Sequence, residues 1–574
     1  MSKVDLVIRG GTVADGLGNP LHEADVAVSD GKIVSVGKVA EQGREELDAR
    51  GLLVAPGFVD IHTHYDGQVV WDSRLAPSSM HGVTTAVMGN CGVGFAPVRS
   101  ADRERLIELM EGVEDIPGVI LREGLNWNWE SFGDYLGLIE QRRYDMDIAA
   151  QLPHAPLRVF VMGERACRLE PATAEDIAQM RLLARDAIKA GAIGFSTSRS
   201  LNHRSVKGDP TPSLKASEEE LLGIAMGIVD AGGGVLEFAS EFNAQDREEE
   251  FAMVRRIGAR TGLPLSFGLS QKNSDPEGWR DVLRLIDEAQ ADGVRIAAQI
   301  TPRPVGAIIT IGASLNPFLR SATYIDLIAA GVNEALVETL RQPAVRDKVL
   351  AEAAPHVADT LVGRMGGYDR LFVQHGAVEY EPDPSQSVER LAAAANRDPL
   401  AMLYDLLHAG TGDAFVYFPV MNYTNYHLGP VREMLKHPHT VMGLGDGGAH
   451  VGIIADASFP TYLLTRWTSD KRSDGFDLSW LIKRQTSDTA RLVGMNDRGI
   501  IAPGKKADIN LIDLDALHIG RPAVVHDLPA GGQRLLQGAR GYAATILSGE
   551  IVYRNGEATG ALPGRLVKGH AAQL

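Results

Sequence analysis

Through the middle of the chain, short apolar runs alternate with longer stretches whose apolar residues recur at helical spacing. GVTTAVMGN, MDIAAQLPH, AIGFSTS, GGVLEFAS, PLSFGLS and VRIAAQIT are apolar runs bounded by Gly, Pro or polar residues, the pattern of strands covered on both faces. Between them, ADRERLIELMEGV, TAEDIAQMRLLARDAIKAGA and SEEELLGIAMGIVDAGG place their apolar residues on one helical face, and Thr173 with Asp176 forms a capping-box signature. An apolar run ending in DIHTH precedes this series, and TVMGLGDGGAH follows it, before the helical LSWLIKRQTSDTARLVG. Eight strands alternating with helices predict a (β/α)8 TIM-type barrel in preference to a doubly wound sheet. The stretch from about 303 to 438 is too long for a simple crossover and is expected to be a largely helical insertion near the barrel mouth.

The two ends of the chain carry a different pattern. VDLVIRGGTV, ADVAVSDGKIVSVG and GLLVAPG are short alternating or apolar strands, with Asp30-Gly31 as a hairpin turn. RGIIAPGKKADINLIDLD and ATILSGEIVYRNGEATG repeat that style at the far end, with Ser-Gly and Asn-Gly turns. The termini are therefore expected to build one small β-sandwich domain together. The division is residues 1–54 and 495–574 for this domain and 55–494 for the barrel with its insertion.

Composition narrows the classes of function. A formal net charge of −17 disfavours nucleic acid or an anionic membrane as partner, since either would need a basic surface. The absence of about 18 uninterrupted apolar residues gives no transmembrane segment. Only two cysteines, Cys91 and Cys167, stand far apart, which supplies no disulfide framework and suits a reducing cytoplasm. The opening MSKVDLVIRGG is polar and charged within a few residues, unlike a secretory signal. A cytoplasmic enzyme acting on a small molecule is the expectation.

The chemistry of such a barrel sits at the C-terminal ends of its strands. Strand 1 ends in His62 and His64, whose i, i+2 spacing in a strand sends both imidazoles to one side, a platform for a divalent cation. Strand 8 ends in Asp446, whose carboxylate can ligate the ion, take a proton from a water and pass it to a leaving group. Strand 2 ends in GNCGVG, so Cys91 is either a thiolate ligand or a small residue in a tight Gly-rich turn. That run lacks the Lys-Ser/Thr of a phosphate loop. His154 ends strand 3, Glu237 lies near the end of strand 5, and His450 follows Asp446 by four residues. Arg199 and His203, with Arg204 and Lys207, belong to a basic loop after strand 4 that could meet a substrate carboxylate or simply be solvated. Trp127, Trp129, Tyr423, Asn425 and Tyr426 either shape a pocket or pack.

PGFVDIHTHYD, GVTTAVMGNCGVGFAP, AGAIGFSTS, GDGGAH, RGIIAPGKKADINLID and DLPAGGQRLLQ together resemble the amidohydrolase superfamily, and within it the N-acyl-D-amino-acid deacylase (D-aminoacylase) group. The resemblance runs along nearly the whole chain. It implies a (β/α)8 barrel beside a small β-domain, zinc dependence and hydrolysis of amide bonds. By position it implies that Cys91, His62, His64 and Asp446 are metal ligands, Asp446 also being the catalytic base.

The sequence departs from the group where its members carry a His at the ends of strands 5 and 6. Ala239 or Ser240, and Ser270, stand there, and no Lys ends strand 4. The expectation is one Zn2+ on His62, His64 and Asp446 with Cys91; the alternatives left open are Glu237 as substitute ligand, a second ion, and a weak or absent metal. His154, Glu237, His450, Arg199 and His203 are candidates for supporting the ligands or contacting substrate. The expected reaction is hydrolysis of the amide bond of an N-acyl amino acid or similar small amide. The alternatives are a hydrolase of a cyclic amide, ester or carbamate, and a catalytically inactive binding protein of the same fold. A homo-oligomer is compatible with such a barrel.

Overall fold

Eight parallel strands form the centre of the molecule: Phe58–Asp60, Val83–Met88, Asp147–Pro153, Gly194–Ser198, Val235–Ala239, Leu265–Gly268, Ile296–Ile300 and Thr440–Met442. They pair in this order, each parallel to the next. The last meets the first through a parallel bridge between Thr63 and Gly447, with Asp446 N–H donating to the His62 carbonyl at 3.0 Å and His64 N–H to the Gly447 carbonyl at 2.7 Å. The barrel is thereby closed just beyond the strand ends. The computed structural model describes residues 3–312, 315–329, 331–360, 362–363, 367–453, 456–469 and 473–569.

Every residue of the second, third, fourth, seventh and eighth barrel strands is buried. Continuous apolar runs rather than alternating ones follow, because helices cover the outer face while side chains fill the inner one. The helix Ala174–Ala190 starts on the expected capping box, in which Asp176 N–H donates to Thr173 Oγ1 at 3.2 Å and Thr173 N–H to Asp176 Oδ2 at 2.8 Å. The single helix read in LSWLIKRQTSDTARLVG is two, Leu478–Arg484 and Ser487–Leu492, since Thr486 between them leaves the helical region at φ −127°, ψ −88°.

Both ends of the chain enter one nine-stranded sheet. Its joint is Leu53–Pro56, which runs parallel to the end of Lys3–Val13 and antiparallel to Ile509–Ile512. Asp30-Gly31 is the tight hairpin turn, with φ of 52° and 71°, the left-handed pair that matches the twist of the flanking strands. Leu6, Ile8, Val26, Ile33, Ile509 and Ile546 fill this domain's own core.

The long segment between the seventh and eighth barrel strands has a separate core, in which Phe318, Tyr324, Leu340, Tyr404 and Phe418 pack together. It contains helices such as Pro343–Ala353 and Pro399–Leu407, and also an antiparallel sheet in which Phe415–Met421 lies between Val305–Ile309 and Phe372–Gln374. Ile308 N–H donates to the Ile453 carbonyl, so this sheet rests on the loop that follows Asp446. Among the described residues no helix is long and apolar enough to cross a membrane.

Candidate metal centre

Barrel closure is what brings the candidate ligands together. His62 and His64 project from the end of the first strand, and the chain beyond the eighth strand crosses directly against them. A Cβ on Gly445 would lie 2.2 Å from Asp60 Oδ2, and one on Gly448, at φ 92°, would lie 2.7 Å from the His64 carbonyl oxygen. Glycine on both sides lets Asp446 approach the imidazoles this closely. Asp446 Oδ1 stands 3.5 Å from His62 Nε2 and 3.6 Å from His64 Nε2.

Cys91 arrives from the second strand on a left-handed turn, at φ 55° between Gly89 and Gly92. Asn90 secures the turn by donating to the carbonyls of Thr63 and Val87, and Ser196 Oγ binds the Gly89 carbonyl and the Gly92 N–H. Cys91 Sγ is 3.5 Å from His62 Nε2, and ligand atoms of His62, His64 and Cys91 all lie within 4.8 Å of one another. Among the described residues this is the one His/Cys/Asp/Glu group so compact.

The surroundings prepare these side chains for a cation. Gln299 in the seventh strand donates its amide to Ser266 Oγ at 2.9 Å, which turns its oxygen toward His62 Nδ1 at 2.8 Å. His62 then carries its proton on Nδ1 and leaves Nε2 as a lone pair facing Cys91 and Asp446. Burial pushes the His64 imidazole down to about 4, so it is neutral at pH 7, the form that ligates metals. Burial opposes ionisation of the Asp446 carboxyl, but the His64 and His62 imidazoles beside it, with His450, outweigh it and hold it below the usual carboxylate range.

Carboxylates otherwise accumulate here at a cost. Burial raises Asp60, Asp66 and Glu237 to about 7, and raises Glu114 well above its usual value together with the charges of Asp446, Asp66 and Glu237. The same burial and carboxylates push the Cys91 thiol up. Asp60 Oδ2, Glu237 Oε1 and His64 Nδ1 are buried without a hydrogen-bond partner. Buried acids around two neutral imidazoles and a thiol make a site whose electrostatics are relieved by a divalent cation. The donor set of two imidazole nitrogens, a thiol sulfur and a carboxylate suits zinc.

Glu237 lies beside this group, its Oε2 accepting the Cys91 N–H at 2.9 Å. His450 reaches back to Glu114, Nε2 to Oε2 at 3.7 Å. His203 is joined to Ser198 at the end of the fourth strand and lies within electrostatic reach of His62, His64, His450 and Asp446. Two candidates are not brought to the centre. His154 is the first residue of the helix His154–Met162, and its ring is held between Thr197 Oγ1 and Glu220 Oε1, beside Arg158. Arg199 points outward onto Glu250, which Ser240 also binds. In both cases a carboxylate from a covering helix captures the side chain. Trp129 donates to the Phe95 carbonyl and packs between Trp127 and Tyr135, a structural role for that aromatic segment.

The residue that sequence reasoning missed is Glu114. It ends the helix Arg103–Glu114, and Asp115, at φ 51°, reverses the chain there. Its Oε1 faces His64 Nδ1 at 3.5 Å. Gln299 was likewise hidden, as one polar residue inside an apolar strand.

The family model described as the amidohydrolase family matches residues 45–553. The chain belongs to the amidohydrolase family. Its relatives include the N-acyl-D-glutamate deacylase of Alcaligenes xylosoxydans xylosoxydans, 29% identical over 90% of this chain and 88% of that protein. The N-acyl-D-aspartate deacylase of the same organism is 25% identical over 99% of this chain and 95% of that one. Among solved structures, the N-acyl-D-glutamate deacylase from Bordetella bronchiseptica, complexed with zinc and a phosphonate inhibitor, is 23% identical. It superposes with a TM-score of 0.65, covering 99% of this amidohydrolase and all of that chain, a likeness of fold.

Proposed function

We propose that this amidohydrolase is a metal-dependent hydrolase that cleaves the amide bond of an N-acyl amino acid. The observation that carries the reading is the convergence of His62, His64 and Cys91 within 4.8 Å, with Asp446 within 3.6 Å of both imidazoles. The deacylase relatives support the substrate class, and the two free cysteines suit a cytoplasmic setting.

His62, His64 and Cys91 would hold one ion, with Asp446 completing the set. Bound there, a zinc-type ion supplies Lewis acidity that makes a water acidic near neutral pH and offsets charge on the carbonyl oxygen. Asp446, ionised at neutral pH, takes the proton of the attacking water as that water adds to the amide carbon. As the C–N bond breaks, Asp446 returns the proton to the departing nitrogen, giving carboxylate and free amine. Gln299 keeps His62 in the ligating tautomer, and Glu114 backs His64.

Zinc-loaded protein is tested for amine release from N-acetyl-D- and N-acetyl-L-amino acids, glutamate and aspartate among them. Release from this panel is the expected result. Turnover confined to cyclic amides, esters or carbamates would move the reading to those substrates.

Gln299→Leu removes the acceptor that fixes His62 while preserving bulk. Affinity for zinc, read by competition with a chelating dye, is expected to fall about 10- to 100-fold with the fold intact. An unchanged affinity would show that the Gln299 contact does not orient a ligand.

A further inference from the structure

The loop after the fourth strand carries a histidine that neither the ligand set nor the proton transfers use. We propose that His203 is a further catalytic residue, held by Ser198 at the barrel mouth so that its Nε2–H binds the substrate's carbonyl oxygen. The proposal rests on the hydrolase reading above.

Placement comes first. Gly92, next to Cys91, packs so closely on the end of the fourth strand that a Cβ there would lie 2.8 Å from Ser198 N and 2.9 Å from Thr197 Cα. Ser198 therefore sits against the Cys91 turn, and it holds His203, Nδ1 to Oγ, at 2.8 Å. The chain returning from the loop fixes this corner: Thr211 N–H donates to the His203 carbonyl, and Ser213 Oγ to the Ser198 carbonyl at 2.8 Å. The loop is braced by Arg204, which donates to the carbonyls of Leu201 and Gly208, and by the Lys207–Glu108 ion pair. Ser198 is fully buried, and His203 is half-buried.

The tautomer follows from Ser198. Its oxygen already accepts the Ser200 N–H at 3.2 Å. Giving its own hydroxyl hydrogen to His203 Nδ1, 2.8 Å away, satisfies both groups, and we assign the contact so. With Nδ1 accepting, the ring proton resides on Nε2, which becomes a fixed donor aimed away from Ser198. Burial pushes the His203 ring down to about 3, so it stays neutral at working pH. A neutral imidazole N–H can stabilise charge growing on a carbonyl oxygen without giving up its proton. Arg199, at the start of this loop, is engaged with Glu250, and Arg204 with the Leu201 and Gly208 carbonyls, so neither competes for the role.

The test uses zinc-loaded full-length protein and methylphosphonate as a tetrahedral oxyanion probe, titrated calorimetrically, with zinc content measured in parallel. His203→Ala is expected to weaken methylphosphonate binding about 100-fold, the effect of losing one such donor, with zinc content unchanged. His203→Gln, which restores an N–H near the Nε2 position, should recover part of the loss. Ser198→Ala, which frees the ring, should fall between wild type and His203→Ala, and covers the case in which the Ala variant misfolds. In amide hydrolysis the loss should appear in kcat with KM little changed. Wild-type affinity in His203→Ala would overturn the proposal alone, as would loss of zinc, which would make His203 a ligand. A wild-type protein that neither binds the probe nor hydrolyses amides would overturn it together with the hydrolase reading.

Discussion

Asp446→Asn lowers kcat for amide hydrolysis by about 10³- to 10⁴-fold, while the protein keeps its fold and most of its metal. The magnitude is the upper range for removing a group that acts as both general base and general acid. Asn cannot accept the water's proton, yet its amide preserves the shape that fits between Gly445 and Gly447, so the barrel closure through the Asp446 N–H and the His62 carbonyl survives. His62, His64 and Cys91 remain to hold the ion, so metal and activity should separate in this variant. Steady-state kinetics beside metal analysis checks it. Near-normal turnover in Asp446→Asn would end the proposed proton transfers, whatever the metal content.

The double variant His62→Ala/His64→Ala has the complementary effect: metal content falls to background and hydrolysis falls with it. Two of the three atoms that meet within 4.8 Å are gone, and Cys91 alone, its thiol raised by burial and surrounding carboxylates, makes a poor site. Both imidazoles are buried, and replacing them leaves cavities beside Asp60, Glu114 and Glu237, so a thermal unfolding scan belongs beside the metal analysis. Cys91→Ala should lie between, with weaker metal binding and residual activity. Full metal retention in a folded double variant would place the ion elsewhere.

The barrel was legible in the sequence because its strands are short, largely apolar runs closed by Gly, Pro or a polar residue, alternating with helical patterns. The principal candidate ligands could be read for a related reason. A strand end is a fixed address in this fold, and His62, His64, Cys91 and Asp446 all occupy strand ends. What could not be read depends on partners distant in sequence. His154 and Arg199 also stand at strand ends, but Glu220 and Glu250, from helices farther along the chain, draw them away. Glu114 reaches the centre because of one left-handed residue after a helix, which leaves no periodic signal. The sheet inside the long insertion was hidden because Phe372–Gln374 is too short to stand out until Phe415–Met421 pairs with it. Gln299 looked like an interruption in an apolar strand, and only its contact with His62 gives it meaning.

The most direct measurement is the divalent metal content per chain of wild-type protein purified without added metal or chelator, followed by amine release from N-acetyl-D-glutamate before and after chelation. One zinc-type ion per chain, with hydrolysis lost on chelation and regained on zinc addition, is the predicted result. A chain that holds no metal and takes up none on incubation with zinc would contradict the proposed hydrolase.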